Sequence, residues 1–473
     1  MQSYSKFADN EKIKKGLTRI DKSLNVKASG IPYFYDEDSI YIDDKDSHTV
    51  VIGSTGSGKT QSTVLPQLRL SMLANESIVV IDEMGELYNA LGAELKKRDY
   101  KTIVINFQDT KHSNNFNPLL VPYHLYKHDN QDVAIRMVER IGSIIYHEEN
   151  RNSDPFWINS ARNYFVGLVL YLFDNAKEDE INFNSVYELS NQIELSGKGK
   201  DILASLPPTN PANINLASTI LAPTETRGGI LSVFRQSLGL LTSRVQMSSL
   251  MSSSDFNLEE LVDDKFAIFI IGEPSKDNAK YMSTIIDELY YVVNTKGPRR
   301  KRINTILDRF TELSPIEDFH NILSRSRSLN IKFTILIDSI STLTLLYGKE
   351  ETLLIYNNIA TIIYLYSSDE SSLKKISELA GMESENNPLV SVQELKTFKI
   401  FEALILKMRE YPIKTKMIPD YQLPWNMSKK EIEFPKRKEN PLKIFKLDNT
   451  SSFNKVDEMI KNIDKKIEEL EIE

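Results

Sequence analysis

Gly53-Ser54-Thr55-Gly56-Ser57-Gly58-Lys59-Thr60 satisfies the pattern G-x-x-x-x-G-K-[ST] at every fixed position. The β-branched run before it, His48-Thr49-Val50-Val51-Ile52, has the composition of a buried strand, and the run from Gln61 to Ala74 has helical character. Strand, glycine loop and helix in that order are the context in which this pattern acts as a P-loop. Gly53, Gly56 and Gly58 let the backbone turn sharply and approach an anion without Cβ interference. The loop amides, those of Ser54, Thr55 and Ser57 included, then face phosphate oxygens together with the positive end of the helix. Lys59 adds a point charge for the β- and γ-phosphates, and the Thr60 hydroxyl is a ligand for Mg2+. The stretch predicts a site for a nucleoside triphosphate, ATP with Mg2+.

A length of 473 residues corresponds to about two to four domains. Apolar residues make up 41% of the chain, ample for a large core, and the net charge of −8 excludes a basic nucleic-acid coat. Nucleic-acid contact is therefore expected only locally, in a channel or on loops. The absence of cysteine excludes disulfides, thiolate zinc sites and cysteine nucleophiles. Met1 to Lys15 is polar and lysine-rich and lacks a signal-peptide core. The apolar runs Tyr164–Phe173 and Phe266–Ile271 fall well short of the ~20 residues that span a bilayer, so a soluble chain is expected. The six histidines show no metal-ligand spacing, and no structural metal is expected.

Along the chain, Tyr33–Asp44 alternates aromatic and acidic residues, as in a hairpin. Pro66 is expected to bend or end the helix after the P-loop. Ser77–Ile81 and Thr102–Phe107 look like buried strands, with a helix from Glu83 to Lys97 between them. Between about Asn130 and Met251 the pattern becomes helical, over Val133–Ile145, Ser160–Phe173, Asn184–Gln192 and Ile230–Thr242, joined by Pro- and Asn-rich connections such as Pro207–Asn213. Strand patterns resume at Lys265–Ile271, Ile303–Leu307, Lys332–Ile337, Asn358–Tyr366 and Lys399–Leu406, with a helix over Ala279–Thr295. The expectation is an α/β fold with a RecA-like core of seven or eight strands in a mostly parallel sheet and an inserted all-α domain. The boundaries are 1–129 and 252–427 for the two parts of the nucleotide domain, 130–251 for the insert and 428–473 for a charged tail. In that tail Phe453, Val456, Ile460, Ile463, Ile467 and Leu470 form a heptad seam on an expected terminal helix. Phe156 and Trp157 are expected to anchor a core, and the basic run Lys296–Arg302 to be a solvated loop.

A nucleotide motor also needs a strand ending in Asp for the Mg2+ side and an adjacent carboxylate to activate water. Ile78-Val79-Val80-Ile81-Asp82-Glu83 spells that pattern, whereas Ile306-Leu307-Asp308-Arg309 supplies the Asp but follows it with arginine. The string favours Asp82; the place of the strand, directly after the P-loop helix, counts against it.

Further motifs occur in a characteristic order: Val64-Leu65-Pro66, then Asp82-Glu83-Met84-Gly85-Glu86-Leu87-Tyr88, Phe116-Asn117-Pro118-Leu119, Asp154-Pro155-Phe156-Trp157, Ser324–Ile331 and Tyr347-Gly348. With the P-loop they make the chain, from His48 to about Pro412, resemble the coupling proteins of type IV secretion and bacterial conjugation, the TraG-like DNA-transfer ATPases. The resemblance implies a RecA-like domain with an inserted all-α domain, and hexameric rings with ATP between subunits and DNA in a central channel. It implies partners as well: a relaxase carrying the DNA, the relaxosome and the type IV secretion channel proteins. By this resemblance Asp308 is the Mg2+-side aspartate, and Arg327 reaches the γ-phosphate of a neighbouring subunit.

Three departures stand out. The family pattern Asp-Glu-Phe is here Asp308-Arg309-Phe310, its Gln-Ser is Asp338-Ser339, and its Pro-Lys is Glu83-Met84. An Arg309–Asp338 ion pair in place of a Glu/Gln pair is expected, giving ATP binding with slow hydrolysis, with Glu312 and Glu83 as substitute bases. Family members commonly start with transmembrane helices, and here the P-loop begins at residue 53, so a cytoplasmic place at the membrane's inner face through partners is expected. The functional expectation is an ATP-dependent DNA translocase of conjugation; the alternative is a poorly hydrolysing, nucleotide-binding scaffold relative.

Overall fold

Runs apolar at every position become strands buried on both faces, and this dictates the architecture. The protein is described by a computed structural model that covers residues 4–36, 39–128, 130–147, 154–425, 427 and 432–447. A small antiparallel sheet comes first, with β1 (Thr18–Ile20), β2 (Ile31–Asp36) and β3 (Ser39–Asp43) in the order β1-β3-β2. Its β2–β3 pair is the hairpin expected from the aromatic–acidic alternation. The main sheet holds β4 (His48–Gly53), β5 (Ser77–Asp82), β6 (Lys101–Asn106), β7 (Phe266–Ile271), β8 (Ile303–Leu307), β9 (Ile331–Ile337), β10 (Ile359–Tyr366), β11 (Glu402–Lys407) and β12 (Ile413–Lys416). Their order is β12-β11-β10-β4-β9-β8-β5-β7-β6; all neighbours from β10 to β6 are parallel, and β11 and β12 run antiparallel. The expected seven or eight strands are nine in this sheet, because the short edge strand β12 buries only Ile413 and carries no apolar run.

The two-residue period divides each central strand between two cores. Val50, Ile52, Val79 and Ile81 enter a core shared with the helices inserted after β6, while Val51, Ile78 and Val80 pack under the helices Leu65–Leu73 and Glu86–Lys97. Each fully buried Val or Ile contributes about 1.5–3 kcal/mol, so a few polar replacements in β4 would cancel a typical net stability of about 5–15 kcal/mol. That is why the strand can carry no alternation.

Between β6 and β7 the chain is helical, and no strand occurs there among the described residues. The longest helix of this insert, Pro155–Asn175, starts with Asp154 accepting a hydrogen bond from the Phe156 amide (3.0 Å) and Pro155 at the first helical position. From Tyr164 to Phe173 it is buried on nearly every side, and a Cβ on Gly167 would stand 2.7 Å from Leu216, so the helix Pro211–Ile220 crosses it at close range. Pro211–Ile220 begins inside the stretch expected to be a connection. Asn210 caps it through the Ala212 amide (2.7 Å) and Pro211 opens it, so Pro and Asn here are start signals and not loop signals.

Two further expectations change. Pro66 does not end its helix: the chain runs from a π-turn at Thr60–Val64 into Leu65–Leu73, with the Leu65 amide bonding the Thr60 carbonyl. The wider turn places the proline where its missing N–H leaves no gap. Phe156 and Trp157 are not core anchors; both sit on the first turn of their helix, 47% and 36% exposed. Among the described residues no helix is long and apolar enough to cross a membrane.

The segment 432–447 has no helix or strand and lies along the surface. Phe434 rests against Tyr88 with ring centroids 4.9 Å apart, and the Arg437 amide bonds the Lys111 carbonyl (2.9 Å). Side-chain amides of Asn115 and Asn182 donate to the Lys438 and Lys443 carbonyls, both at 2.8 Å. Phe445 is buried beside Tyr171, and Gln192 clamps the end, accepting from the Leu447 amide at 2.7 Å. The expected heptad helix from Phe453 to Leu470 lies outside the described residues.

Candidate functional site

In an open parallel sheet, ligands bind where neighbouring strands send their connections in opposite directions. The chain leaves β4 toward β5 on one side, whereas β9, its neighbour, leads across to β10 on the other. The switch point is thus the crevice between β4 and β9, and the loop Gly53–Thr60 stands on it.

The loop has the backbone the motif requires. Gly56 and Gly58 have φ of 81° and 91°, and a Cβ on Gly53 would lie 2.4 Å from the Ser57 hydroxyl. The Ser54 amide is held by the Tyr366 carbonyl (2.9 Å), and the buried Ser57 hydroxyl has no hydrogen-bond partner. Thr63 and Ser62 hydroxyls tie the first helical turn to the Lys59 and Gly58 carbonyls. The Lys59 ammonium bonds the Gly53 carbonyl and an Asp338 oxygen, the latter at 2.8 Å. The orphaned hydroxyl, the cradle a Cβ would fill and the Lys59 cation fit a polyphosphate group.

Asp338 follows β9, next to β4, and Asp308 follows β8, one strand further. Burial pushes the Asp308 carboxyl above the usual carboxylate range, and the neighbouring Lys59 ammonium pulls it back. One Asp308 oxygen accepts from the Arg309 amide (2.9 Å) in a tight turn with Arg309 at φ 51°. Asp82 is three strands from β4. It is 1% exposed and accepts from the Tyr88 amide at 2.9 Å, so it caps the helix Glu86–Lys97. Burial raises its pKa to about 6 against the pull of the backbone amides of Tyr88, Leu87 and Gly85.

The expected Arg309–Asp338 pair does not form. Arg309 reaches Glu83 (2.7 Å) and Glu312 (2.9 Å), while Asp338 is taken by Lys59. The sheet order offers each side chain two neighbours: β8 lies between β9 and β5, and Arg309 turns to Glu83 beyond β5, while β9 lies between β4 and β8, and Asp338 turns to Lys59 of the loop after β4. Glu312, its carboxyl also pushed up by burial, shares the guanidinium.

Arg327 lies at the other end of the strands. Its Nε donates to the carbonyl of Asp46, just before β4, at 3.1 Å, and the side chain is exposed. Within one chain it is remote from the loop Gly53–Thr60. The basic run Lys296–Arg302 is at this end as well and is ion-paired in part, Lys296 and Arg299 with Asp263 and Arg302 with Asp46.

Two features had no sequence signal. Phe401 adopts φ 69° before β11, and its ring faces Gly58. The partners of Arg309 depend on strand order, which no local pattern encodes.

Comparison with known proteins agrees with this geometry. The family model "Type IV secretory system Conjugative DNA transfer" matches residues 2–399. The chain is 24% identical over 340 residues to the conjugal transfer protein TraG of Escherichia coli, covering 65% of this chain and 50% of that protein. It therefore spans about half the length of that curated relative. Among solved structures, the plasmid coupling protein TrwB in complex with the non-hydrolysable ATP analogue ADPNP has a TM-score of 0.66 at 14% identity, over 92% of this chain and 97% of the other. TrwB in complex with ADP and Mg2+ gives 0.65 at 14% identity over the same shares. VirB4 of Thermoanaerobacter pseudethanolicus gives 0.54 at 12% identity, over 85% and 99%. The shared architecture is the RecA-like P-loop fold with its helical insert, and with the family model covering most of its length the chain belongs to the type IV secretory system conjugative DNA transfer family.

Proposed function

We propose that this chain is the ATP-dependent coupling ATPase of a conjugation system, a DNA translocase that delivers relaxase-bound DNA to a type IV secretion channel. The observation that carries this reading is the convergence of Lys59, Asp338 and Asp308 at the β4–β9 switch point. Gly53–Thr60 would cradle the phosphates of ATP, with Thr60 and Asp308 on the side of Mg2+. The bound metal would neutralise charge developing on the transferred phosphoryl group. Lys59 exchanges its bonds to Gly53 and Asp338 for phosphate oxygens, and Asp338 is left free to accept a proton-bearing partner. Arg327, exposed at the far end of the strands, serves a neighbouring subunit in a hexameric ring around DNA. The proposed domains are 1–129 with 252–427 for nucleotide, 130–251 for the helical insert and 428–473 for the tail. The location is the inner face of the membrane, through partners.

A second reading, a nucleotide-gated scaffold with little turnover, is favoured by one observation: Arg309 holds both substitute bases, Glu83 and Glu312, in ion pairs. A carboxylate bound to a guanidinium is a poorer proton acceptor. We expect slow basal hydrolysis, and a rise of about 10–100-fold in Arg309→Glu or Arg309→Ala. Phosphate release with and without single-stranded DNA decides between the readings. Stimulation by DNA supports the translocase. Tight ATP binding with no turnover in wild type and either variant supports the scaffold.

A further inference from the structure

The β9–β8 side of the loop Gly53–Thr60 is charged, with Asp338, Asp308, Arg309, Glu83 and Glu312. The β10–β11 side is different. Here an ideal Cβ on Gly58 would stand 2.6 Å from the edge of the Phe401 ring and 3.6 Å from Ile400. Ile400 is 57% exposed. Tyr366, whose carbonyl anchors Ser54, is 36% exposed. The β10–β11 register pairs Tyr364 with Leu404, so its continuation sets Tyr366 opposite Glu402, one residue from Phe401. The Phe401 ring, just before β11, thus stands against the loop, and Tyr366, the last residue of β10, is tied to it through its carbonyl.

Phe401 is held there firmly. Its carbonyl accepts from the Met417 amide (2.8 Å), and a turn closes around it from the Glu402 amide to the Lys399 carbonyl (2.9 Å). The Glu402 carboxylate accepts from the Lys399 amide at 2.8 Å. A bulky residue at φ 69° is sterically unfavourable, and such backbone persists where the surroundings over-determine it. A half-buried aromatic kept in that state beside a phosphate loop, with the exposed Ile400 next to it, offers a flat apolar face to an occupant.

From these contacts we infer that Phe401, with Tyr366 and Ile400, forms the nucleobase platform of the site. This rests on the proposed triphosphate cradle at Gly53–Thr60. The phosphates run toward the charged β9–β8 side, and the nucleoside leaves toward β10–β11, where its base stacks on Phe401. Recognition by a π-face is tolerant of base identity, so ATP and GTP bind alike.

Magnesium salts of ATP, GTP and inorganic tripolyphosphate, titrated into the full chain by calorimetry, test the platform. Phe401→Leu is expected to weaken ATP and GTP by about tenfold and leave tripolyphosphate unchanged. Phe401→Trp keeps ATP affinity, and the fluorescence it adds to the wild-type signal is quenched by ATP and GTP but not by tripolyphosphate. Equal weakening of ATP and tripolyphosphate in Phe401→Leu would make Phe401 a mere support of the loop and overturn the inference. So would unquenched fluorescence from a folded Phe401→Trp chain at saturating ATP. Wild type that binds tripolyphosphate and ATP equally also overturns it while keeping the cradle; wild type that binds neither overturns both.

Discussion

The two edges of the main sheet are both rich in charge and are built oppositely. At the edge where the strands begin, Glu76, Arg302, Asp43, Lys407 and Lys332 are each less than a tenth exposed. Glu76 accepts from Ser29 and from Asn304 (2.8 Å), Arg302 donates to the Ser29 carbonyl (2.9 Å), and Lys407 meets Asp43 at 3.1 Å. At the edge where the strands end, the Asp338 side chain is 49% exposed and Arg309, Glu83 and Glu312 about a third. Buried charges with backbone partners lock the N-terminal hairpin to the sheet; half-exposed charges with exchangeable partners remain available to a ligand. The buried, stabilising charges and the half-exposed charges of the proposed site thus lie at opposite ends of the strands.

The contrast breaks most readily at Glu76. Glu76→Ala leaves Ser29 and Asn304 buried without their acceptor, removes a counter-charge near Arg302, and is expected to cost about 3–5 kcal/mol in urea unfolding; a loss below about 1 kcal/mol would mean that this edge is not the lock. Lys59→Ala should show the reverse. Its half-exposed partner makes the stability change less than about 1 kcal/mol, while affinity for Mg–ATP falls by about 10–100-fold. A large drop in unfolding stability would erase the distinction.

The smallest effect is a pH dependence. Asp82 has a folded pKa of about 6, above its value in the unfolded chain. The native state therefore binds the extra proton, and this contribution is present below about pH 4 and lost as pH rises through 6. Asp82→Asn keeps an acceptor for the Tyr88 amide and has no proton to lose. It should match wild type below about pH 4 and exceed it by about 1–3 kcal/mol at pH 7. Equal stability at pH 7 would show that the buried carboxyl is relaxed by solvent.

How much of this was legible depended on whether the determinant was local. The P-loop and the strand runs were visible because glycine spacing and continuous apolar stretches are properties of neighbouring residues. The Asp82–Glu83 string was the misleading case: the same letters serve as a helix cap when the strand stands three places from β4. The partners of Arg309 and Lys59 were hidden because they come from strands distant in sequence: β8 and β9 are neighbours, as the expected Arg309–Asp338 pair required, but each side chain turns to the strand on its other side. Phe401 was hidden for another reason, since an aromatic residue gives no hint of a left-handed backbone.

The surface strap 432–447 has a mechanical corollary. Its last anchors, Asn182, Ser185 and Gln192, all belong to the helical insert, whereas Tyr88 and Lys111 hold its beginning beside the nucleotide core. Any pull applied to residues 448–473 is therefore felt first by the insert, at Leu447 and then Phe445. Only after those amide clamps yield does it reach the Tyr88–Phe434 contact, on the helix that Asp82 caps.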